Sequence, residues 1–246
     1  MIKLEGIRLA LGDRLVLDGA GLEVGAGETV ALLGASGSGK SSLLRVAVGL
    51  LRPEAGRVTL GGEPVVGVSG ERLRHLRRRV GMLFQGTALF DSMTVAENIG
   101  FVLREVMGVD PGQIAARVDA LLARLRLGPI GAMFPAELSG GMKKRVGIAR
   151  ALAHDPPILF FDDPTAGLDP VTGEVIADLI AEVSNRPDRA AIVVTNQLPV
   201  ILKVASRVAL LHEGRVAELG PPRQVFAGGR RAVSSFLQSG RDGATP

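Results

Sequence analysis

One octapeptide, Gly34-Ala35-Ser36-Gly37-Ser38-Gly39-Lys40-Ser41, constrains this chain more than any other feature. It fits the spacing Gly-x-x-x-x-Gly-Lys-Ser/Thr and stands between an apolar run, Thr29–Leu33, and a helical pattern over Lys40–Leu51. Glycines there let consecutive backbone N–H groups curl around phosphate oxygens, while a helix opening at Lys40 aims the positive end of its dipole at the same charge. Lys40 is expected to reach the outer phosphates of a nucleoside triphosphate, Ser41 to ligate Mg²⁺, and Ser42 to lie against the same phosphates. Alone, the loop names a ligand and not an activity, because many unlike activities use it.

The rest of the chain supplies a setting for that loop. Apolar runs at Val80–Phe84, Pro157–Phe161, Ala190–Thr195 and Val208–His212, bounded by Gly, Pro or polar residues, predict further buried parallel strands. Val171–Val183 places Val175, Ile176, Leu179, Ile180 and Val183 on one helical face, so strands and helices alternate as in an α/β core. From Thr94 to Ala153 the pattern is almost wholly helical, which predicts a helical subdomain. Asp110-Pro111 opens one of its helices, and Ile114, Val118, Leu121, Leu122 and Leu125 form its apolar stripe. Ser239–Pro246 reads as a frayed tail.

The run ending in Asp162-Asp163 puts two acids at the end of a parallel strand, the edge where such sheets bind ligands. Asp162 is suited to hold Mg²⁺ and Asp163 to act as general base toward an attacking water; the competing reading makes Asp163 the cap of the next turn.

Composition narrows the classes. No stretch approaches the roughly 20 apolar residues needed to cross a bilayer, and the charged start MIKLEGIRLALGDR does not read as a secretory leader, so a cytoplasmic location is expected. Absence of cysteine excludes disulfides and thiolate-bound zinc. The net charge of +4 is modest, and the arginines at 72, 74, 77, 78 and 79 read as a solvated helix face, with contact to anionic lipid, a partner or nucleic acid as the alternative. They have no interleaved aromatics, which argues against a base-stacking surface, so no nucleic-acid partner is expected.

Leu138-Ser139-Gly140-Gly141-Met142-Lys143, followed by the helical Lys144–Ala153, closely resembles the signature of ABC ATPases. Residues from about Ile2 to Leu237 share that resemblance. It implies a single domain with a P-loop NTPase (RecA-like) core over 1–86 and 154–238, an N-terminal antiparallel β region and an inserted helical subdomain over 87–153, with 239–246 as tail. It implies ATP and Mg²⁺ as cofactors and a head-to-tail dimer in which Ser139, Gly140 and Gly141 of one subunit close over nucleotide held by the other. It also implies a Gln85 that touches Mg²⁺ and links the site to a membrane permease, and an Asp169, in Ala166-Gly167-Leu168-Asp169, that crosses the dimer interface. The location implied is the cytoplasmic face of the inner membrane.

Met82–Glu105, with Ala88-Leu-Phe-Asp91-Ser-Met-Thr-Val95, and the end Ser234-Ser-Phe-Leu237 resemble the ATPases of Mla-type phospholipid transporters. That resemblance implies lipid cargo, an MCE lipid-binding protein and a small accessory subunit; amino-acid or metal-ion uptake is the alternative. Three positions depart from the family pattern. Asp163 stands where Glu is usual, Asn196 where a histidine is usual, and Leu11 where an aromatic ring commonly stacks on adenine. Asp163, Asn196, Lys40 and Gln85 are the catalytic candidates. Slow hydrolysis is expected, and a nucleotide-gated regulatory subunit without turnover is the competing reading.

Overall fold

The computed structural model describes residues 1–227, so the tail over 239–246 and the Ser234–Leu237 resemblance lie outside the described residues. Two sheets organise the described residues. The smaller is antiparallel, in the order β2-β1-β4-β5, from β1 (Ile2–Leu11), β2 (Arg14–Val24), β4 (Ala55–Leu60) and β5 (Glu63–Pro64). The larger runs β10-β9-β3-β8-β7-β6, from β3 (Glu28–Leu33), β6 (Val80–Leu83), β7 (Ile158–Asp162), β8 (Ala190–Val194), β9 (Arg207–His212) and β10 (Arg215–Gly220). All its pairings are parallel except β9 with β10.

Period-two alternation explains the layering. In β3, Val30 and Leu32 join the core shared with the antiparallel sheet, while Ala31 and Leu33 face the opposite side with Val208, Leu210 and Ile201. In β7, Phe160 enters the first core, whereas Leu159 and Phe161 pack under the helices.

The helix predicted over Lys40–Leu51 is shorter: α1 covers Lys40–Ala47. Gly49, at φ 69°, ends it, with Gly49 N–H donating to Val46 O and Leu50 N–H to Arg45 O. This reciprocal pair is the usual way a helix closes on a left-handed glycine. Arg77, from α2 (Gly70–Arg77), donates to Val48 O and Gly49 O, and Arg79 pairs with Glu63. The arginine run is therefore partly structural.

Over 94–153 the helices are α3 (Val95–Glu105), α4 (Pro111–Arg124) and α5 (Gly140–Leu152). A 3₁₀ turn at Pro135–Glu137 lies in the connection before α5. Thr94 and Glu97 cap α3 reciprocally, and Asp110 caps α4 by accepting from Gly112 N–H. Val118, Leu121, Leu122 and Leu125 are buried, with Ile114 packed at their margin. The chain then returns through β7, α6 (Pro170–Ser184), β8, α7 (Leu198–Val204), β9, β10 and α8 (Pro222–Ala227). Among the described residues no helix is long and apolar enough to cross a membrane.

Gly81 in β6 marks how closely α5 and the sheet approach, since a Cβ there would press into the Ala151 carbonyl oxygen and lie 2.9 Å from Leu159 Cδ2. Gly81→Ala is expected to lower the free energy of unfolding by about 2 kcal/mol or more in urea titrations. Gly86→Ala, with nothing among the described residues within 4 Å of its Cβ, is expected to change it by under about 0.5 kcal/mol.

Candidate functional site

Parallel strands β3, β8, β7 and β6 end at one edge, and the loops leaving that edge carry most of the residues singled out from sequence. Gly34, Gly37 and Gly39 take φ values of 153°, 74° and 103°, which turn the loop after β3 back toward the start of α1. A side chain at Gly34 would collide with Leu211 O and with Ser38 Oγ, and one at Gly39 would come within 2.9 Å of Leu17 Cδ2. Lys40 Nζ folds over the loop, donating to Gly34 O at 2.7 Å and Ala35 O at 2.8 Å. Ala35, Ser36 and Gly37 are exposed along the rim, Ser42 is half-buried, and Ser38 Oγ is buried without a hydrogen-bond partner among the described residues.

Ser41 Oγ donates to Asp162 Oδ1 at 2.9 Å, joining α1 to the end of β7. Burial pushes Asp162 above the ordinary carboxylate value; the Ser41 hydroxyl opposes this first, then Arg45, Lys40 and Lys144. Asp163 is raised by burial too, with Lys144 drawing it back. Its φ of 47° is left-handed, its N–H donates to Val194 O, and its carbonyl, not its carboxylate, closes the next turn by accepting from Ala166 N–H. Burial lowers Lys40, with Asp163 and Asp162 resisting the loss of its proton. Ser41 and Asp162 together offer hard oxygen donors beside a phosphate loop, a donor set that fits Mg²⁺.

The β1–β2 hairpin completes a cleft of about 380 Å³ lined by Leu11, Arg14, Val16 and loop residues Gly37, Gly39, Lys40, Ser41 and Ser42. Leu11 and Arg14 are cross-strand partners flanking the turn at Gly12-Asp13, and Arg14 Nη2 donates to Gly37 O at 3.2 Å. Sequence reasoning found Leu11 but missed Arg14 and Val16, which no spacing rule connects to the loop. A cleft of about 550 Å³ between α6 and α7, lined by Pro170, Gly173 and Gln197 among others, contains no part of it.

Gln85 and Asn196 follow β6 and β8 at the same edge, both exposed, and neither side chain makes a hydrogen bond among the described residues. Asp169 is exposed and caps α6, accepting from Thr172 N–H at 3.0 Å. Ser139 caps α5, accepting from Met142 N–H, and Gly140 is exposed beside it. Gly141 is buried where a Cβ would lie 2.6 Å from Thr172 Cγ2, so its smallness lets α5 meet α6. Within one chain no hydrogen bond joins Ser139–Gly141 to the phosphate loop among the described residues.

A family model described as "ABC transporter" matches residues 17–166. The chain belongs to the ABC transporter family. The solved ATP-binding cassette MJ0796, in a dimeric post-hydrolysis state bound to ADP and Pi, superposes with a TM-score of 0.81 at 31% identity, over 91% of this chain and 99% of that one. CbiO1 from Clostridium perfringens, part of the ABC transporter complex cbiONQ, gives 0.82 at 31% identity over 98% and 96%. The methionine import ATP-binding protein MetN of Caulobacter vibrioides is 44% identical over 88% of this chain and 65% of its own length. MetN 3 of Bacillus cereus is 38% identical over 97% and 71%. The chain thus spans about two thirds of the curated relatives it matches. The α/β P-loop fold with an N-terminal antiparallel sheet is that of the ABC cassettes. The lipid-transporter resemblance finds no counterpart among these relatives, which carry the amino-acid importer name.

A carboxyl that holds its proton more tightly folded than unfolded supports folding most below its ordinary pKa, and that support is lost as pH rises through the folded value. Asp162→Asn is therefore expected to raise the melting temperature of the ligand-free chain at neutral pH, with the gain shrinking toward about pH 4. The same variant is expected to lose the further rise that Mg·ATP gives the wild type, both read by thermal melts.

Proposed function

We propose that this chain is the ATP-binding and ATP-hydrolysing subunit of an ABC transporter, working as a pair against a membrane permease. The observation that carries the reading is the Ser41–Asp162 hydrogen bond of 2.9 Å lying beneath a left-handed glycine loop and Lys40. Loop N–H groups and Lys40 hold the triphosphate, and Leu11, Val16 and Arg14 bound the side of the cleft where its base lies. Ser41, Asp162 and Gln85 would hold Mg²⁺, which neutralises phosphate charge when bound.

Hydrolysis joins a water oxygen to the γ-phosphorus, breaks the bond to the β-bridging oxygen, and moves the water's proton to Asp163, releasing ADP and phosphate. Burial raises the Asp163 carboxyl toward the range in which it accepts that proton. Its side chain is one methylene shorter than glutamate, and a displacement of about 1 Å can cost on the order of 100-fold in rate. Asn196 can hydrogen-bond the γ-phosphate and cannot relay a proton. Turnover is accordingly slow.

Residues 1–86 and 154–238 form the nucleotide-binding core in this reading and 87–153 an inserted helical subdomain that meets the permease near Gln85. Ser139 and Gly140, at the tip of α5, close over nucleotide held by the second subunit, with Asp169 at the same interface. The complex sits on the cytoplasmic face of the membrane, with no nucleic-acid partner. For cargo, the names of the relatives at 38–44% identity favour amino-acid import. A second reading, lipid transport with an MCE protein and an accessory subunit, is favoured by the stretch Ala88–Val95.

Single-turnover ATP hydrolysis by the wild type, Asp163→Glu, Asn196→His and the double variant tests the chemistry. Gains on the order of 10-fold or more from the restored side chains are expected. Gain from none of them, with ATP still bound, would contradict hydrolysis limited by these side chains and favour a gating subunit. Stimulation of the purified complex by an amino acid or by phospholipid vesicles separates the two cargo readings.

A further inference from the structure

Lys144 lies in the body of α5 with only 6% of its surface exposed. Burying an ammonium group is opposed by lost hydration, and a methionine of similar length would fill the same space without that cost. Burial loosens its proton, while Asp163 first and Asp162 second help retain the charge. Nζ donates to Gln85 O at 2.5 Å and to Asp163 O at 3.4 Å. Those two carbonyls belong to different loops, one leaving β6 and one leaving β7, and both loops are conformationally uncommon. Thr87, Ala88 and Asp163 sit at φ 62°, 51° and 47°, a region that residues other than glycine enter only where their surroundings hold them.

Other groups on α5 address the same backbone. Arg150 donates to Thr87 O at 2.8 Å and Ala88 O at 2.7 Å. Gly147 lets the helix come close, since a Cβ there would lie 2.6 Å from Leu83 Cδ1 and 3.6 Å from Thr87 Cβ. The helix headed by Ser139 thus grips the loop after β6 with two cations, and one of them, Lys144, also reaches the loop after β7.

We propose that Lys144 is a positioning residue for hydrolysis, holding the Gln85 and Asp163 loops together, from the helix that begins at Ser139, in the geometry their side chains need toward the γ-phosphate. The proposal rests on reading this edge as a site of ATP hydrolysis. It gives the signature segment a second role in its own chain: a shift of α5 is felt at Gln85 and Asp163 through a single side chain.

The test uses the full chain with Mg·ATP, comparing the wild type, Lys144→Met and Lys144→Arg. The methionine variant is expected to lose about 10-fold or more in kcat with KM within about 3-fold, and the arginine variant to recover most of that loss. Amide exchange is expected to accelerate in Lys144→Met at Thr87, Ala88 and Ala166, whose N–H groups close the two loops onto Phe84, Gly86 and Asp163, while α5 amides keep their protection. Acceleration spread evenly through α5, or loops as protected as in the wild type, would overturn the proposal, as would an unchanged kcat. A wild type without turnover would contradict the hydrolysis reading instead, and the exchange pattern alone would then decide the role of Lys144.

Discussion

Parallel strands must all end at the same edge, and the order β3-β8-β7-β6 makes that edge a single row. In the ladders, Leu32 pairs with Val194, Val194 with Asp162, and Phe161 with Leu83. Asp163 N–H donating to Val194 O and Thr195 N–H donating to Leu32 O carry the row one residue past the strands. The phosphate loop, Asn196, the Asp162-Asp163 pair and Gln85 are thereby neighbours, although they are spread along most of the chain. Without parallel pairing those segments would have no common side, and the chemistry would have no address.

Building that edge sets folding against function. Three glycines adopt left-handed backbone in the loop, two carboxylates are raised by burial, and two lysines are lowered by it. Each group is partly neutralised by its neighbours, Ser41 for Asp162 and the acids for Lys40 and Lys144. The arrangement suits a polyanion with a divalent cation, in which carboxylate and ammonium charges find partners on the ligand that the protein alone does not supply in full.

What could be read from sequence tracks how local each signal is. The phosphate loop, the apolar strands, the Asp110-Pro111 helix start and the acid pair are contiguous patterns, and their physics is complete within a few residues. The end of α1 was missed because the apolar residues past Ala47 continue a helical pattern, while Gly49 and the Arg77 cap that stop the helix act through backbone geometry and a distant side chain. Arg14, Val16 and Lys144 were invisible for the same kind of reason. Arg14 matters only because a hairpin brings it to Gly37, and Lys144 only because α5 packs across two loops. Family membership was legible from motif order, whereas the finer assignment to lipid transport rested on one stretch beside the helical region and on residues 234–237, which lie outside the described structure.

In the proposed dimer a triphosphate is gripped from two chains, by the glycine loop of one and by the helix tip at Ser139 of the other. The chain has no cysteine of its own, and Ser36 and Ser139 are both exposed, so Ser36→Cys together with Ser139→Cys gives a clean reporter. Under mild oxidation with saturating Mg·ATP, in a slowly hydrolysing background such as Asp163→Asn, the expected result is a disulfide between chains that migrates at twice the chain mass and depends on nucleotide. A disulfide confined to single chains, or none at any nucleotide concentration that binds, would contradict it.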